Sequence, residues 1–223
     1  MPLPLPLRNW LAGLILDAFG EPHARALLDA LGRYCQGQLP ARAPLPPGFP
    51  AEFFEAPGGK LSLRGAYRRF RDELCDRAER ACALVRDRPL SDPEPSLQEA
   101  LNRAASLFDA GLHFEVHELL EPFWMRAEGA VRQVLQGLIQ VSVGFHHLGS
   151  NNVSGARTLL GEGRAKLEGQ QLEGIDLGAF AGEVRRALER IVELGPEAPG
   201  KFDWRLAPKF PRGSQDGERS TPR

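Results

Sequence analysis

Imidazole, carboxylate and indole side chains recur at helical spacing in the middle of this 223-residue chain. His113, His117, Glu121 and Trp124 are separated by three or four residues, so one helix would carry all four on a narrow stripe. Glu115 and Glu118 lie off this stripe, toward solvent or a flank. Imidazole nitrogens and carboxylate oxygens are common metal ligands, and they also form hydrogen-bond networks inside helical proteins. This stripe is therefore the first candidate for chemistry.

A second polar stripe follows on the next predicted helix, where Arg132, Gln136, Gln140 and His147 interrupt an otherwise apolar sequence. Only a few residues join the two helices, so they should be antiparallel neighbours that bring both stripes together. Polar groups inside an apolar hairpin need hydrogen bonds, water or a ligand. We call these residues the polar seam: His117, Glu121, Trp124, Arg132, Gln136, Gln140 and His147.

One hypothesis for the polar seam is a metal site. His117-Glu118-x-x-Glu121 is related in spacing to the zinc-binding H-E-x-x-H, and zinc accepts a glutamate as its second ligand. His147 would supply a third ligand, and His113 or water would complete the shell around a single divalent ion, zinc or iron. A site of this kind would suit a hydrolase.

The favoured hypothesis is architectural: the polar seam fixes one packing arrangement, and the protein acts as an interaction or scaffold module. A further alternative is a pocket for a small polar or anionic molecule, with Arg132, Gln136 and His117 as donors. Arg132 beside a buried carboxylate would more simply form an ion pair with Glu121.

The stretch from Phe108 to Trp124 resembles a small bacterial and archaeal family filed as a domain of unknown function, family number 309. That family is marked by H-x-x-x-E-x-x-W, which here is His117, Glu121 and Trp124. The resemblance continues through Leu135-Gln-Gly-Leu-Ile-Gln140 and His147-Leu148, and it covers roughly residues 97–194. It implies a small helical bundle and carries no established activity.

The elements that must position these residues are all predicted helices. The sequence indicates an all-α fold: an antiparallel bundle of about five helices in residues 96–195, with an N-terminal helical extension in residues 1–90. Ser96-x-x-Glu99 predicts a capping box at the start of the bundle, and Asn151 or Asn152 and then Asp176 predict later caps. The predicted bundle helices span about 97–110, 112–127, 130–148, 153–168 and 177–194.

The regions outside the bundle are predicted as follows. The extension contains two short helices, a proline-rich connector at about 40–50, and a long helix at about 61–85 with a solvated arginine face. Residues 196–223 are predicted to form an extended strap and a disordered tail. The apolar surface of the first three helices would suit a homodimer.

Composition limits which partners and which cellular location we expect for this protein. The formal net charge is −1, and the arginines are interleaved with acids, which disfavours nucleic acid as a partner. No apolar run approaches the length of a membrane span. The three cysteines have no metal-type spacing, so we expect buried, reduced thiols in a cytoplasmic protein.

Overall fold

The structure is a computed structural model, and it describes residues 2–38 and 47–212. Residues 39–46, which belong to the predicted proline-rich connector, and the predicted tail after Arg212 lie outside the described residues. Helices dominate the described chain, which confirms the all-α prediction. They are α1 Leu5–Asp17, α2 Pro22–Cys35, α3 Arg71–Val85, α4 Leu97–Asp109, α5 His113–Arg126, α6 Gly129–Gly149, α7 Val153–Leu167, α8 Gly178–Leu194 and the one-turn α9 Ala198–Lys201.

Two short antiparallel strand pairs accompany the helices. Strand β1 (Phe54–Glu55) pairs with β2 (Ser62–Leu63), and β3 (Gln171–Leu172) pairs with β4 (Ile175–Asp176). The long-range contacts divide the chain into two units. The first comprises residues 1–95 and 110–119, and the second comprises residues 96–109 and 120–223.

The first unit corrects the prediction of one long helix over residues 61–85. Residues Ser62–Leu63 form β2, Gly65–Phe70 form a 3₁₀ segment, and the α-helix begins only at Arg71. The reason is a contact that helical periodicity does not encode, since Ser62 pairs with Glu55 of β1 and holds this stretch extended. Gly65 then adds a residue of low helix propensity before α3.

The cysteines of the first unit also differ from the expectation of three reduced thiols. Cys35, at the end of α2, forms a disulfide with Cys75 of α3, 40 residues away. Cys82 is a free thiol that contacts the carbonyl oxygen of Leu28 at 3.3 Å. The disulfide arises because α2 and α3 pack side by side and place these two positions opposite each other.

A buried ion pair corrects two further expectations. Arg77 was assigned to a solvated face and Glu115 to solvent or a flank, yet their side chains are only 6% and 1% exposed. Both Nε and Nη2 of Arg77 donate to Oε1 of Glu115, the former at 3.2 Å. Glu115 is fully buried because α3 packs against the first turn of α5 within this unit.

In the second unit, glycines allow α6 and α7 to pack closely. A Cβ on Gly163 would lie 2.8 Å from the carbonyl oxygen of Gly137, and one on Gly144 would lie 2.7 Å from the side chain of Leu160. Gly163 therefore allows the close packing of α7 against α6. Phe108 lies at the centre of an aromatic cluster in this unit. Its ring centroid is 5.3 to 6.1 Å from those of Phe145, Phe180 and Phe210.

The helix boundaries of the second unit agree with the caps expected from sequence. Ser96 Oγ accepts from the backbone N–H of Glu99 at 3.2 Å, and Asn152 Oδ1 accepts from that of Gly155 at 3.0 Å. Asp176 accepts from the N–H of Gly178, the first residue of α8. None of the helices in the described part of the chain has both the length and the apolar character needed to cross a membrane.

The segment after α8 was predicted to be extended and instead contains local helical turns. Pro196 lies in a 3₁₀ segment, α9 follows, and Trp204–Leu206 form another 3₁₀ turn. Phe202 and Phe210 are buried, whereas Trp204 and Leu206 are more than two-fifths exposed. Proline at the start of short helical turns explains the difference, because its fixed φ suits a first helical position.

Candidate metal site

Helix α5 carries most of the candidate residues. Gly111 precedes it with a φ of 72°, a left-handed conformation that glycine adopts without strain, and the helix runs from His113 to Arg126. Pro122 lies inside this helix without ending it. Because proline has no N–H, the carbonyl of Glu118, four residues earlier, lacks its usual helical donor. Glu118 is the residue that follows His117.

His117, Glu118 and Glu121 form a compact group on one turn of α5. Each offers one ligand atom, and these atoms all lie within 4.8 Å of one another. All three side chains are half-buried. Nδ1 of His117 lies 2.9 Å from Oε1 of Glu118, so the two share a hydrogen bond. We call these three residues the carboxylate–histidine group.

Aromatic and cationic side chains flank His117. The ring of Phe114 stacks on the imidazole with centroids 5.8 Å apart, and the guanidinium of Arg8 lies 4.1 Å from the Phe114 centroid. Burial lowers the pKa of Arg8, the charge of Arg77 lowers it further, and Glu118 acts in the opposite sense. Arg8 thus brings a positive charge close enough to Glu118 for the two side chains to interact electrostatically.

The other two histidines proposed as ligands are not members of the carboxylate–histidine group. His113, the first residue of α5, is buried at 8% exposure. His147, on α6, lies with Nδ1 3.0 Å from the side-chain nitrogen of Asn152, the residue that caps α7. His147 therefore contacts the helix cap, while Glu118 stands beside His117 and Glu121.

Arg132 and Trp124 lie together, as the antiparallel hairpin predicts. The guanidinium of Arg132 lies 4.4 Å from the centroid of the Trp124 ring. Its Nη1 donates to the carbonyl oxygens of Trp124, Met125 and Ala127 at 2.9 to 3.3 Å. These carbonyls end α5, so Arg132 satisfies acceptors that the helix leaves open. The sequence had favoured an ion pair of Arg132 with Glu121.

The two glutamines of the polar seam differ in their surroundings. Gln140 donates to Oε2 of Glu162 on α7 at 2.7 Å, whereas Gln136 is half-buried on α6. Two buried atoms, Nε1 of Trp124 and Oε1 of Gln140, have no hydrogen-bond partner among the described residues. Buried polar atoms usually have protein or water partners, so a water or ligand atom could accept from Nε1 of Trp124 and another could donate to Oε1 of Gln140.

Sequence reasoning missed two residues that shape the site. Glu118 was placed on a flank by helical angle, although its adjacency to His117 was a signal that the side chain could bend toward the imidazole. Arg8 comes from a helix more than a hundred residues earlier in the chain. Local periodicity carries no signal for such a contact.

The carboxylate–histidine group has the composition of a divalent-cation site. One imidazole nitrogen and two carboxylate oxygens suit zinc, iron or manganese. Three protein ligands on one helical turn would leave coordination positions on the outer side of the ion for water or substrate. Residues His117 and Glu121 would be primary ligands, and Glu118 would either ligate or orient the imidazole.

Comparison with known proteins matches part of the chain to one family model. Residues 101–159 match the model of a family described as "Domain of unknown function (DUF309)". The resemblance stated from sequence is confirmed, over a shorter segment than the 97–194 expected. All seven residues of the polar seam and the carboxylate–histidine group lie within the match. Neither the curated proteins nor the solved structures yielded a match to this chain.

Proposed function

We propose that this protein binds one divalent metal ion at His117, Glu118 and Glu121. The observation that carries the proposal is the convergence of three ligand atoms within 4.8 Å on one helical turn. The group is half-buried, so desolvation strengthens its attraction for a cation while solvent still reaches it. The two carboxylates supply the negative charge that attracts the cation.

The ion would replace the proton that His117 and Glu118 now share. A metal ligand must be deprotonated, so binding releases a proton and weakens as the pH falls. The mixed nitrogen and oxygen donors favour zinc, iron or manganese over calcium, which prefers an all-oxygen shell. This is the metal alternative of the sequence analysis with Glu118 in the position first given to His147.

The chemistry such an ion supplies is activation of a bound water for hydrolysis, by lowering the pKa of that water. Glu118 would accept a proton from the water with the carboxylate oxygen that does not bind the ion. Hydrolase activity is therefore the reaction class to assay first. Metal binding itself does not depend on that activity.

An architectural role for the polar seam is the second candidate. It is supported by Arg132, which caps the end of α5 and stacks on Trp124, and by Gln140, which joins α6 to α7 through Glu162. A protein of this kind would serve as an interaction or scaffold module, and the predicted homodimer belongs to this candidate. If the role is architectural, the stability of the protein should not depend on metal ions.

Calorimetric titration separates the two candidates. Zinc and manganese are titrated into the wild-type protein, into Glu121→Gln and into Glu128→Gln, an exposed glutamate at the start of α6. The metal proposal expects one site in the wild type and in Glu128→Gln, and affinity weakened by about 10-fold or more in Glu121→Gln. Equal heats in all three proteins would contradict it and favour the architectural role.

A further inference from the structure

The first unit contains a cavity of about 420 Å³, apart from the carboxylate–histidine group and from the segment matched by the family model. The residues that line it include Tyr34 and the cationic Lys60, Arg68 and Arg71. Ligand pockets for small molecules begin at about 300 Å³, so the volume suits a metabolite.

The charges around this cavity are unbalanced. Arg68 pairs with Glu55 at 3.2 Å, which compensates one of the three cations. Lys60 and Arg71 have no carboxylate partner in the part of the chain that the structure describes. The cavity therefore presents a surplus of two positive charges. A phosphate monoester carries close to two negative charges at neutral pH, whereas a monocarboxylate carries only one.

The backbone and the aromatic neighbours hold Arg71 in place. Its Nη2 donates to the carbonyl oxygen of Cys35 at 2.9 Å, and its guanidinium lies 5.4 Å from the centroid of Tyr34. The remaining N–H groups of the guanidinium are not used in these contacts. Because Cys35 is tied to Cys75 by the disulfide, the carbonyl that positions Arg71 belongs to a constrained helix end. A positioned guanidinium loses less entropy when it binds an anion.

A hydroxyl at the cavity gives a second, independent indication. Ser62 lines the cavity, and its Oγ is buried without a hydrogen-bond partner among the described residues. A buried hydroxyl in that state costs free energy, which a ligand oxygen would recover after a rotation about χ1. Serine, lysine and arginine together form the donor set typical of phosphate sites.

We infer that this cavity binds a small phosphorylated organic molecule. Its phosphate is held between Lys60 and Arg71, Ser62 donates to a phosphate oxygen, and Tyr34 packs against the organic part. The inference is independent of the proposed metal site, because the cavity residues belong to elements that precede α4.

Titration calorimetry of the full-length protein tests this inference, with inorganic phosphate, AMP and citrate as separate probes. We expect AMP to bind at a single site and more tightly than inorganic phosphate, because Tyr34 contacts only the larger probe. Lys60→Gln and Arg71→Gln should each weaken AMP binding roughly tenfold, since each removes a charge-assisted hydrogen bond.

Arg69→Gln is the matched control. It removes a positive charge two residues before Arg71, but Arg69 does not line the cavity. Its AMP affinity should change less than about twofold. Equal weakening by all three substitutions, no AMP binding at millimolar concentration, or tighter binding of citrate than of AMP would each overturn the inference. Melting curves verify that Lys60→Gln and Arg71→Gln remain folded, and Lys60 is exposed enough to tolerate the change.

Discussion

The carboxylate of Glu115 and the guanidinium of Arg77 form an ion pair with almost no solvent contact, and it joins α3 to the first turn of α5. Removing one partner of such a pair leaves an uncompensated buried charge, which typically costs about 3–5 kcal/mol. We expect Glu115→Gln to lower the free energy of unfolding by about that amount in urea denaturation.

An exposed pair provides the comparison. Glu189 pairs with Arg185 across one turn of α8 with both side chains more than half exposed, so Glu189→Gln should cost less than about 1 kcal/mol. If Glu115→Gln cost no more than Glu189→Gln, the buried pair would not have the role assigned to it.

The disulfide between Cys35 and Cys75 should stabilise the first unit. It closes a loop with a sequence separation of 40, for which the chain-entropy model gives about 4 kcal/mol. Adding reductant should therefore lower the melting temperature of the wild type. The double variant Cys35→Ala/Cys75→Ala should be insensitive to reductant. Three reactive thiols in protein unfolded without reductant would contradict the pairing.

Cys82 should react slowly in the folded protein. Burial is the largest cause that raises the pKa of its thiol to about 11, and the charge of Asp29 adds to it. Since the thiolate is the nucleophile, alkylation by iodoacetamide at pH 8 should be far slower in buffer than in urea. The rate in buffer should keep rising about tenfold per pH unit from pH 8 to 10. Equal rates in buffer and urea would show that the thiol is not protected.

Substituting alanine for each of two glycines on α7 should change the stability of the protein in opposite directions. A Cβ on Gly163 would meet backbone atoms of α6 at 2.8 and 2.9 Å, so Gly163→Ala should destabilise the protein by about 1–3 kcal/mol. The nearest atom to a Cβ on Gly161 is 3.9 Å away, and Gly161→Ala should stabilise it by up to about 1 kcal/mol. Thermal unfolding of both variants checks this, and a neutral Gly163→Ala would show that α6 and α7 can separate without cost.

The predictable part of this fold is the part encoded locally. The bounds of α4 to α8 follow from apolar periodicity and from caps such as Ser96 and Asn152, and they agree with the structure to within about two residues. Residues 61–70 were mispredicted because the pairing of Ser62 with Glu55 competes with helix formation. A contact between separate segments leaves no periodic signal.

In the candidate site, too, only the residues related by local spacing were predicted from the sequence. His117 and Glu121 were identified from a spacing of four residues, which a helix converts directly into proximity. Glu118 was missed because a side chain can bend away from the direction that its helical angle assigns. Arg8 and the Arg77–Glu115 pair were missed because they depend on packing between residues far apart in the chain.

Metal content after loading tests the central claim most directly. Untagged wild type, His117→Ala and the control His23→Ala, an exposed histidine on α2, are each incubated with zinc or iron, desalted and analysed by mass spectrometry. We expect about one equivalent of metal in the wild type and in His23→Ala, and almost none in His117→Ala. No metal in the loaded wild type, or equal metal in His117→Ala, would contradict a site built on His117, Glu118 and Glu121.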